Sequence, residues 1–487
     1  MGGVAAVFSK SRADAPRLVA KILYAMQHRA KDGAAIACNW NLESAPTVAG
    51  LTASLPAGNA AIGYGFTRIL PSDSPQPVRA DNGWLCLDGR IVERRMLVGG
   101  KEAARVVERK LSVADSPSVP NEMDGAYALC FCTDDQLLVA RDQVGLKPLF
   151  MGRSDDVIAV ASDRKALRAA GIGEVTTFPP GARLKVSLDS EMIESPEPQA
   201  CFAKDFPREA NGARELSREL VESVLTMTTG VDRLAAGFSG GVDSAVLAKI
   251  AKDAELDLLL VTVGVGRTRE MIQAESTASD IGLPIVVREL SKDEVEESLD
   301  HVLWLIEEPD LMKVSIGLAI HWTARVAIEN ERSVIMLGQG SDELFGGYKR
   351  FATVLGERGV EACEAAISES VRDAYRVNYE RDEQAVSSLR AELRLPFATR
   401  RMTELAMGIP LAMKVRSSSD NVRKWILREA AIGLGIPSAV AMRPKRAIQY
   451  ASGIEKAIRS IARRQQLDVS AYLRNRLRTL ERDYESG

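Results

Sequence analysis

A two-domain α/β chain is the fold class that the sequence predicts, and three observations predict it. The 487 residues exceed what one ordinary hydrophobic core organises. Up to about residue 205, short apolar runs follow one another closely with only two or so helical stretches between them, so this part reads as β-rich. From about residue 206 onward, near-continuous apolar runs alternate with helical patterns, which is how a doubly wound parallel sheet reads. Mixed charge and Pro207 in residues 200–213 mark the boundary, giving domains 1–205 and 206–487.

In the first domain, residues 15–27 have helical spacing, with Leu18, Ile22, Ala25 and Met26 on one face. Strand-like runs follow at 60–69, 84–87, 126–132, 137–140, 157–161 and 182–186. In the second, the run 234–238 is a strand and 256–265 a longer one, with a further strand at 285–287. A helix over 270–281 stops at Gly282, and Ser291 with Glu294 forms a capping box for the next. That helix carries Val295, Leu299, Val302, Leu303 and Ile306 on one face. A helix over 316–330 leads to a strand at 333–337, and the end of the chain is helical and charged.

Composition excludes several classes. The net charge is −3 and no long single-sign run occurs, so neither a nucleic-acid surface nor a membrane surface is predicted. The apolar start lacks a basic leader and reads as a first strand, and Ala6 stands where a myristoylation signal needs Ser or Thr. Cys38, Cys86, Cys130, Cys132, Cys201 and Cys363 form no CxxC pair and lie mostly in apolar runs, as reduced buried thiols of a cytoplasmic protein do. His28, His301 and His321 are too scattered for a zinc site.

The chemistry centres on Phe238-Ser239-Gly240-Gly241-Val242-Asp243-Ser244, between an apolar strand and an apolar helix. Strand, glycine turn and helix start together make an anion site, because the free N–H groups of the first helical turn point at the ligand. Ser239 and Ser244 add hydroxyl donors. Asp243 would repel a bare phosphate, so its presence implies a bridging Mg²⁺. The Gly-Lys-Ser/Thr ending of a P-loop is absent. The stretch resembles the SGGxDS pyrophosphate loop of the ATP pyrophosphatase superfamily. A second loop, Leu337-Gly338-Gln339-Gly340-Ser341-Asp342-Glu343-Leu344-Phe345-Gly346-Gly347-Tyr348, also follows an apolar strand, and its acidic pair suits a metal site facing the first. It resembles the GEGSDEVFGGY signature of asparagine synthetases.

Further matches keep that family's order. His28-Arg29-Ala30-Lys31-Asp32-Gly33, Met123-Asp124-Gly125-Ala126-Tyr127-Ala128, residues 140–150 and Phe178-Pro179-Pro180-Gly181 resemble motifs of the glutamine amidotransferase domain of class B asparagine synthetases. Glu392-Leu393-Arg394-Leu395-Pro396-Phe397, Lys424-Trp425-Ile426-Leu427-Arg428-Glu429 and Arg443-Pro444-Lys445 are similar to ExRxPF, KxxLRE and RxK elements of the synthetase half. The resemblance spans about residues 1–455 and includes the β-lactam synthetases. It implies an αββα sandwich of the N-terminal-nucleophile hydrolase type, followed by an ATP pyrophosphatase domain with a helical C-terminal part. It also implies an ATP- and Mg²⁺-dependent ligase that adenylates a carboxylate and transfers nitrogen to it. On that resemblance, Phe238, Ser239, Gly240, Gly241, Asp243, Ser244, Val263 and Gly338 hold the nucleotide, and Val263 lies against the adenine. Asp243 and Asp342 hold Mg²⁺, Lys424 serves the α-phosphate, and Lys445 serves the transition state of amide formation.

Departures from the pattern set the expectations apart from the family. Residue 2 is Gly where the family's glutaminase has its nucleophilic cysteine, Asp88 replaces the oxyanion-stabilising Asn, and Arg90 replaces the Glu that grips the glutamine amine. A retained fold with an inactive glutaminase is expected. Gln339 replaces a Glu near the amine-attack site, and a neutral amide cannot act as general base. The expected partners are therefore a small-molecule carboxylate and a nitrogen donor, ammonia or an amine, with a separate ammonia-supplying protein compatible with the sequence, as is a homodimer. Two alternatives stay open: intramolecular amide closure of the β-lactam synthetase kind, and an ATP-binding regulatory pseudo-enzyme.

Overall fold

Gly2–Ser9 is buried at every position, which places this strand inside a sheet and not at its edge. In the computed structural model, which describes residues 2–11, 14–52, 54–113, 123–195, 212–444 and 452–486, it is the middle strand of seven. The order is Glu174–Thr177, Phe150–Ser154, Val157–Ala161, Gly2–Ser9, Ala60–Phe66, Gly33–Cys38 and Asn41–Ala45, antiparallel throughout. A second antiparallel sheet runs Glu191–Glu194, Arg183–Ser187, Gln136–Arg141, Asp124–Cys132, Gly83–Glu93 and Val78–Ala80, with Met96–Val98 pairing onto Gly83–Glu93. Alternate residues of both sheets, among them Val4, Phe8, Ile62, Cys86, Cys130 and Val139, form one core between them.

Helix Ala15–Ala25 packs on the outer side of the first sheet, with Val19, Ile22 and Leu23 buried and Leu18 at the margin of that face. Helix Gly100–Val113 covers the second sheet through Ala103, Val106 and Val107 against Leu85, Leu87 and Ile91. The layers are helix, sheet, sheet, helix, as the resemblance implied. All five described cysteines are buried and free, and Cys201 lies outside the described residues.

The chain divides into two compact units, Met1–Glu197 with Ser387–Arg390, and Pro198–Val386 with Ala391–Gly487. The second holds a five-stranded parallel sheet in the order Ile285–Leu290, Asp257–Val265, Arg233–Gly237, Val334–Met336, Glu392–Arg394. Connections run outward in one direction from Arg233–Gly237, then restart on its other side at Val334–Met336. The carboxyl ends of these two strands therefore flank the switch point, where a parallel sheet leaves a crevice for ligands. Both glycine loops emerge there.

Local chemistry sets the helices. Ser291 and Glu294 make the reciprocal capping box, with hydrogen bonds of 3.1 and 2.9 Å, at the start of Lys292–Ile306. Gly282, left-handed at φ +63°, follows the end of Arg269–Asp280. Helix Leu311–Glu329 is apolar enough by length and composition to cross a membrane, but most of it is buried against the sheet and Lys292–Ile306. Glu392–Arg394, quoted above as a motif, is the fifth strand.

Candidate active site

The first loop leaves the sheet at Gly237, where Phe238 N–H donates to the Val261 carbonyl at 2.8 Å. Gly240 turns it with φ +69°, and a Cβ there would lie 3.0 Å from Ala274 Cα, so a side chain at this position would be both strained and crowded. Gly241 then caps helix Val242–Asp253 with extended backbone, leaving the N–H groups of the first turn open. Ser239 and Ser244 brace the turn: Ser244 Oγ donates to the Gly241 carbonyl at 3.2 Å and accepts from Ser239 N–H at 3.3 Å. Asp243 stands in that first turn.

The second loop comes against the first at Gly338, where a Cβ would meet Asp243 Cβ at 3.2 Å. Gly340, at φ +93°, caps the short helix Ser341–Leu344. Its Ser341 hydroxyl donates to Asp243 Oδ1 at 2.8 Å.

Lys424 joins the two loops. Its Nζ lies 2.8 Å from both Asp243 oxygens, 2.7 Å from Asp342 Oδ1 and 3.1 Å from Ser341 Oγ, with the side chain 1 % exposed. Burial lowers the pKa of this lysine, and Asp243 opposes the shift. The ammonium reaches the carboxylates across Gly347, where a Cβ would stand 1.9 Å from Asp342 Oδ1 and 2.2 Å from Lys424 Cε.

Lys424 caps helix Trp425–Gly433 in the left-handed conformation, φ +54°, and Arg423 before it has φ +52°. Two successive left-handed residues with side chains are strained. Arg428, fully buried, holds them: its guanidinium donates to the carbonyls of Val422 at 2.6 Å, Arg423 at 2.6 Å and Arg443 at 2.8 Å, and also to that of Ala441. Arg423 Nε in turn donates to the Gly347 carbonyl at 2.9 Å.

Arg443 reaches the first loop, donating to Thr277 Oγ1 at 2.7 Å and the Gly240 carbonyl at 3.4 Å. Lys445 lies outside the described residues. Val263 is near the carboxyl end of Asp257–Val265, whose last residue donates its N–H to the Ser452 carbonyl at 2.7 Å. Gln339 Nε2 donates to the buried Asp382 carboxylate at 2.8 Å.

Every sequence-predicted residue that is described thus belongs to these two loops, to Lys424 beside them, or to the neighbouring strand. Gly347, Ser341, Arg428 and Asp382 were not singled out from the sequence. Gly347 had a signal, the second glycine of a pair after an acidic loop; Asp382 had none.

Among the described residues no three His, Cys, Asp or Glu side chains cluster as a metal site. Asp243 and Asp342 nevertheless converge on one cation, the Lys424 ammonium. Two hard carboxylates aimed at a shared positive charge fit Mg²⁺, which takes one or two protein carboxylates and completes its shell with phosphate and water.

In the first unit, Gly2 N–H donates to Asp88 Oδ1 at 3.1 Å. A Cβ on Gly2 would stand 1.8 Å from the Gly65 carbonyl oxygen. Arg90 pairs with Asp73 at 3.0 Å, and both are buried.

The family model described as asparagine synthase matches residues 215–385 and 370–480, and a glutamine amidotransferase domain model matches 66–169. A Methanocaldococcus jannaschii protein, named by inference as glutamine-hydrolysing asparagine synthetase 1, is 33% identical over 390 residues, 70% of this chain and 72% of its own. The chain belongs to the asparagine synthase family. Human glutamine-hydrolysing asparagine synthetase is 25% identical over 442 residues, 80% of this chain and 77% of the human one. Among solved structures, the glutamine phosphoribosylpyrophosphate amidotransferase from B. subtilis covers 69% of this chain and 81% of its own at 17% identity, with a TM-score of 0.34, a likeness too slight to bear on function. Against the asparagine synthase signature, the loop at 337–348 keeps its glycines and acidic pair and differs at Gln339 and, conservatively, at Leu344.

Proposed function

We propose that this protein is an AMP-forming carbon–nitrogen ligase, which activates a carboxylate with ATP and amidates it with nitrogen that its own N-terminal domain does not release. The observation that carries the reading is the Asp243–Lys424–Asp342 cluster at the switch point of the parallel sheet. In the first step a carboxylate oxygen attacks the α-phosphorus and the bond to pyrophosphate breaks. Open N–H groups of the Ser239–Ser244 turn, with the Ser239 and Ser244 hydroxyls, take the charge of the leaving pyrophosphate. Lys424, anchored between two carboxylates, holds a fixed positive charge for the α-phosphate. Asp243 and Asp342 would hold Mg²⁺, which when bound neutralises the triphosphate. Val263 and Gly338 border the nucleotide. In the second step the nitrogen lone pair attacks the activated carbon, the bond to AMP breaks and the nitrogen gives up a proton. Lys445 keeps the role in that step that the family resemblance gives it.

The test is exchange of labelled pyrophosphate into ATP, with a panel of amino-acid carboxylates and Mg²⁺. Carboxylate-dependent exchange that vanishes on chelation of Mg²⁺ is the expected result. Exchange with none of the carboxylates, together with carboxylate-independent ATP binding, would replace this reading with that of a regulatory ATP-binding protein.

The N-terminal domain supports the missing-glutaminase part of the proposal by its packing as well as its residue types. Position 2 has no room for a thiol-bearing side chain, because the Gly65 carbonyl fills that space. The Asp88 carboxylate, an acceptor, occupies the place of an oxyanion donor and is engaged by Gly2 N–H. Glutamate release from glutamine is expected to be no faster than in buffer. Gly2→Cys alone is expected to restore none of it. Measurable hydrolysis by either protein would show that the pocket still works.

A further inference from the structure

Gln339 lies between two glycines, and its Nε2 donates to Asp382 Oδ2 at 2.8 Å. The other oxygen of Asp382 accepts from Arg381 Nε at 2.7 Å and lies 2.6 Å from Nη2 of the same guanidinium. Arg381 is itself held, at 3.2 Å by the Val377 carbonyl and at 3.4 Å by the Asn378 side-chain oxygen. Asp382 and Arg381 are buried, at 0% and 1% exposure, while Gln339 is partly exposed. Burial raises the pKa of Asp382, and the Arg381 charge beside it opposes the shift.

An ionised carboxylate only accepts hydrogen bonds, whereas an amide has a donor end and an acceptor end of nearly the same shape. Which end faces a neighbour is decided by the neighbour. Against Asp382 only the NH₂ end fits, so Gln339 Oε1 is turned away. That oxygen makes no hydrogen bond with any described residue. We infer that Asp382 is a positioning residue, which locks the Gln339 amide so that its oxygen is presented to the incoming nitrogen nucleophile.

The inference rests on the amide-forming reading above and adds a substrate preference to it. An acceptor at this point favours a nucleophile that keeps an N–H to donate while its lone pair attacks, ammonia or a primary amine before a more substituted one. The reversed amide would set donor against donor and repel it. The arrangement also changes what a carboxylate at position 339 would do. Gln339→Glu, which sequence comparison alone would offer as a route to better ammonium use, sets two carboxylates side by side next to a single guanidinium.

The probe is ammonium chloride with L-aspartate and ATP, following amide formation against ammonium concentration. In Asp382→Asn the side chain at 382 can donate or accept, so the lock is lost, and KM for ammonium is expected to rise about tenfold while kcat changes by less than about twofold. Asp382→Glu keeps an acceptor-only partner and is expected to bring KM back to within about threefold of wild type. Gln339→Glu is expected to be poorer than wild type and to recover in Gln339→Glu/Asp382→Asn, where the new amide donates to the new carboxylate. An unchanged KM in Asp382→Asn, or equal damage in Asp382→Glu, would overturn the inference. If wild type shows no aspartate-dependent pyrophosphate exchange, aspartate is not its carboxylate. The lock is then read directly from the ¹⁵N-labelled side-chain amide of Gln339: its two proton resonances are expected to shift in Asp382→Asn, and an unchanged pair would sink the idea.

Discussion

Gly347→Ala is expected to abolish most pyrophosphate exchange, by about a hundredfold, and to lower the melting temperature less than loss of Lys424 does. The methyl group has no place to go: its carbon would overlap Asp342 Oδ1 at 1.9 Å and Lys424 Cε at 2.2 Å. Ordinary contacts begin beyond 3 Å, so one or both groups must retreat by about 1 Å, and misplacement on that scale costs about 10²-fold in rate. Gly347 has no unusual positive φ, so the effect comes from crowding the ion pair and not from backbone strain. Normal exchange in Gly347→Ala would mean that Lys424 does not cross this backbone on its way to the carboxylates.

Lys424→Met is expected to be worse. The side chain is of similar length and apolar, but it leaves Asp243 and Asp342 facing each other without the ammonium that now lies within 2.8 Å of both. Removing one partner from a buried ionic cluster costs about 3–5 kcal/mol of stability. Loss of the charge at the phosphates costs a further factor of about 10²–10³ in exchange rate. The two effects separate under added Mg²⁺: the metal can replace the missing charge between the carboxylates and raise the melting temperature of the variant, while exchange stays low. A variant that melts like wild type without Mg²⁺ would show that the carboxylates do not depend on Lys424.

Much of this site was legible because its parts are local. A glycine pair between an apolar strand and an apolar helix fixes the course of the Phe238–Ser244 turn through neighbours in sequence, and the second loop is read the same way. Lys424 was legible through its motif, and its position between both aspartates is what the structure adds. Asp382 was hidden for a different reason. Residues 378–384 are all polar except Tyr379, which reads as solvent-facing helix, yet Asn378, Glu380, Arg381, Asp382, Glu383 and Gln384 are all buried. The preceding helix Lys349–Ala374 is broken at Gly359, with φ +84°, and passes into a π turn at Tyr375–Tyr379. A π turn adds a residue to the turn, so the 3.6-residue arithmetic that assigns faces fails across it. The strand Glu392–Arg394 was concealed similarly: its two charges pair with one another at 2.8 Å in the interior, so a core strand looks hydrophilic.

The three charges of the cluster come from residues 243, 342 and 424, in that order along the chain. During synthesis the two aspartates leave the ribosome well before the lysine, and the strand Glu392–Arg394 that completes the sheet also comes before it. A nascent chain ending short of Lys424 therefore carries two carboxylates in the crevice with no cation of its own to draw them together. Domains fold as units, and the second unit runs on past Lys424. The two loops are thus joined by a charge that is made only after every strand of the sheet.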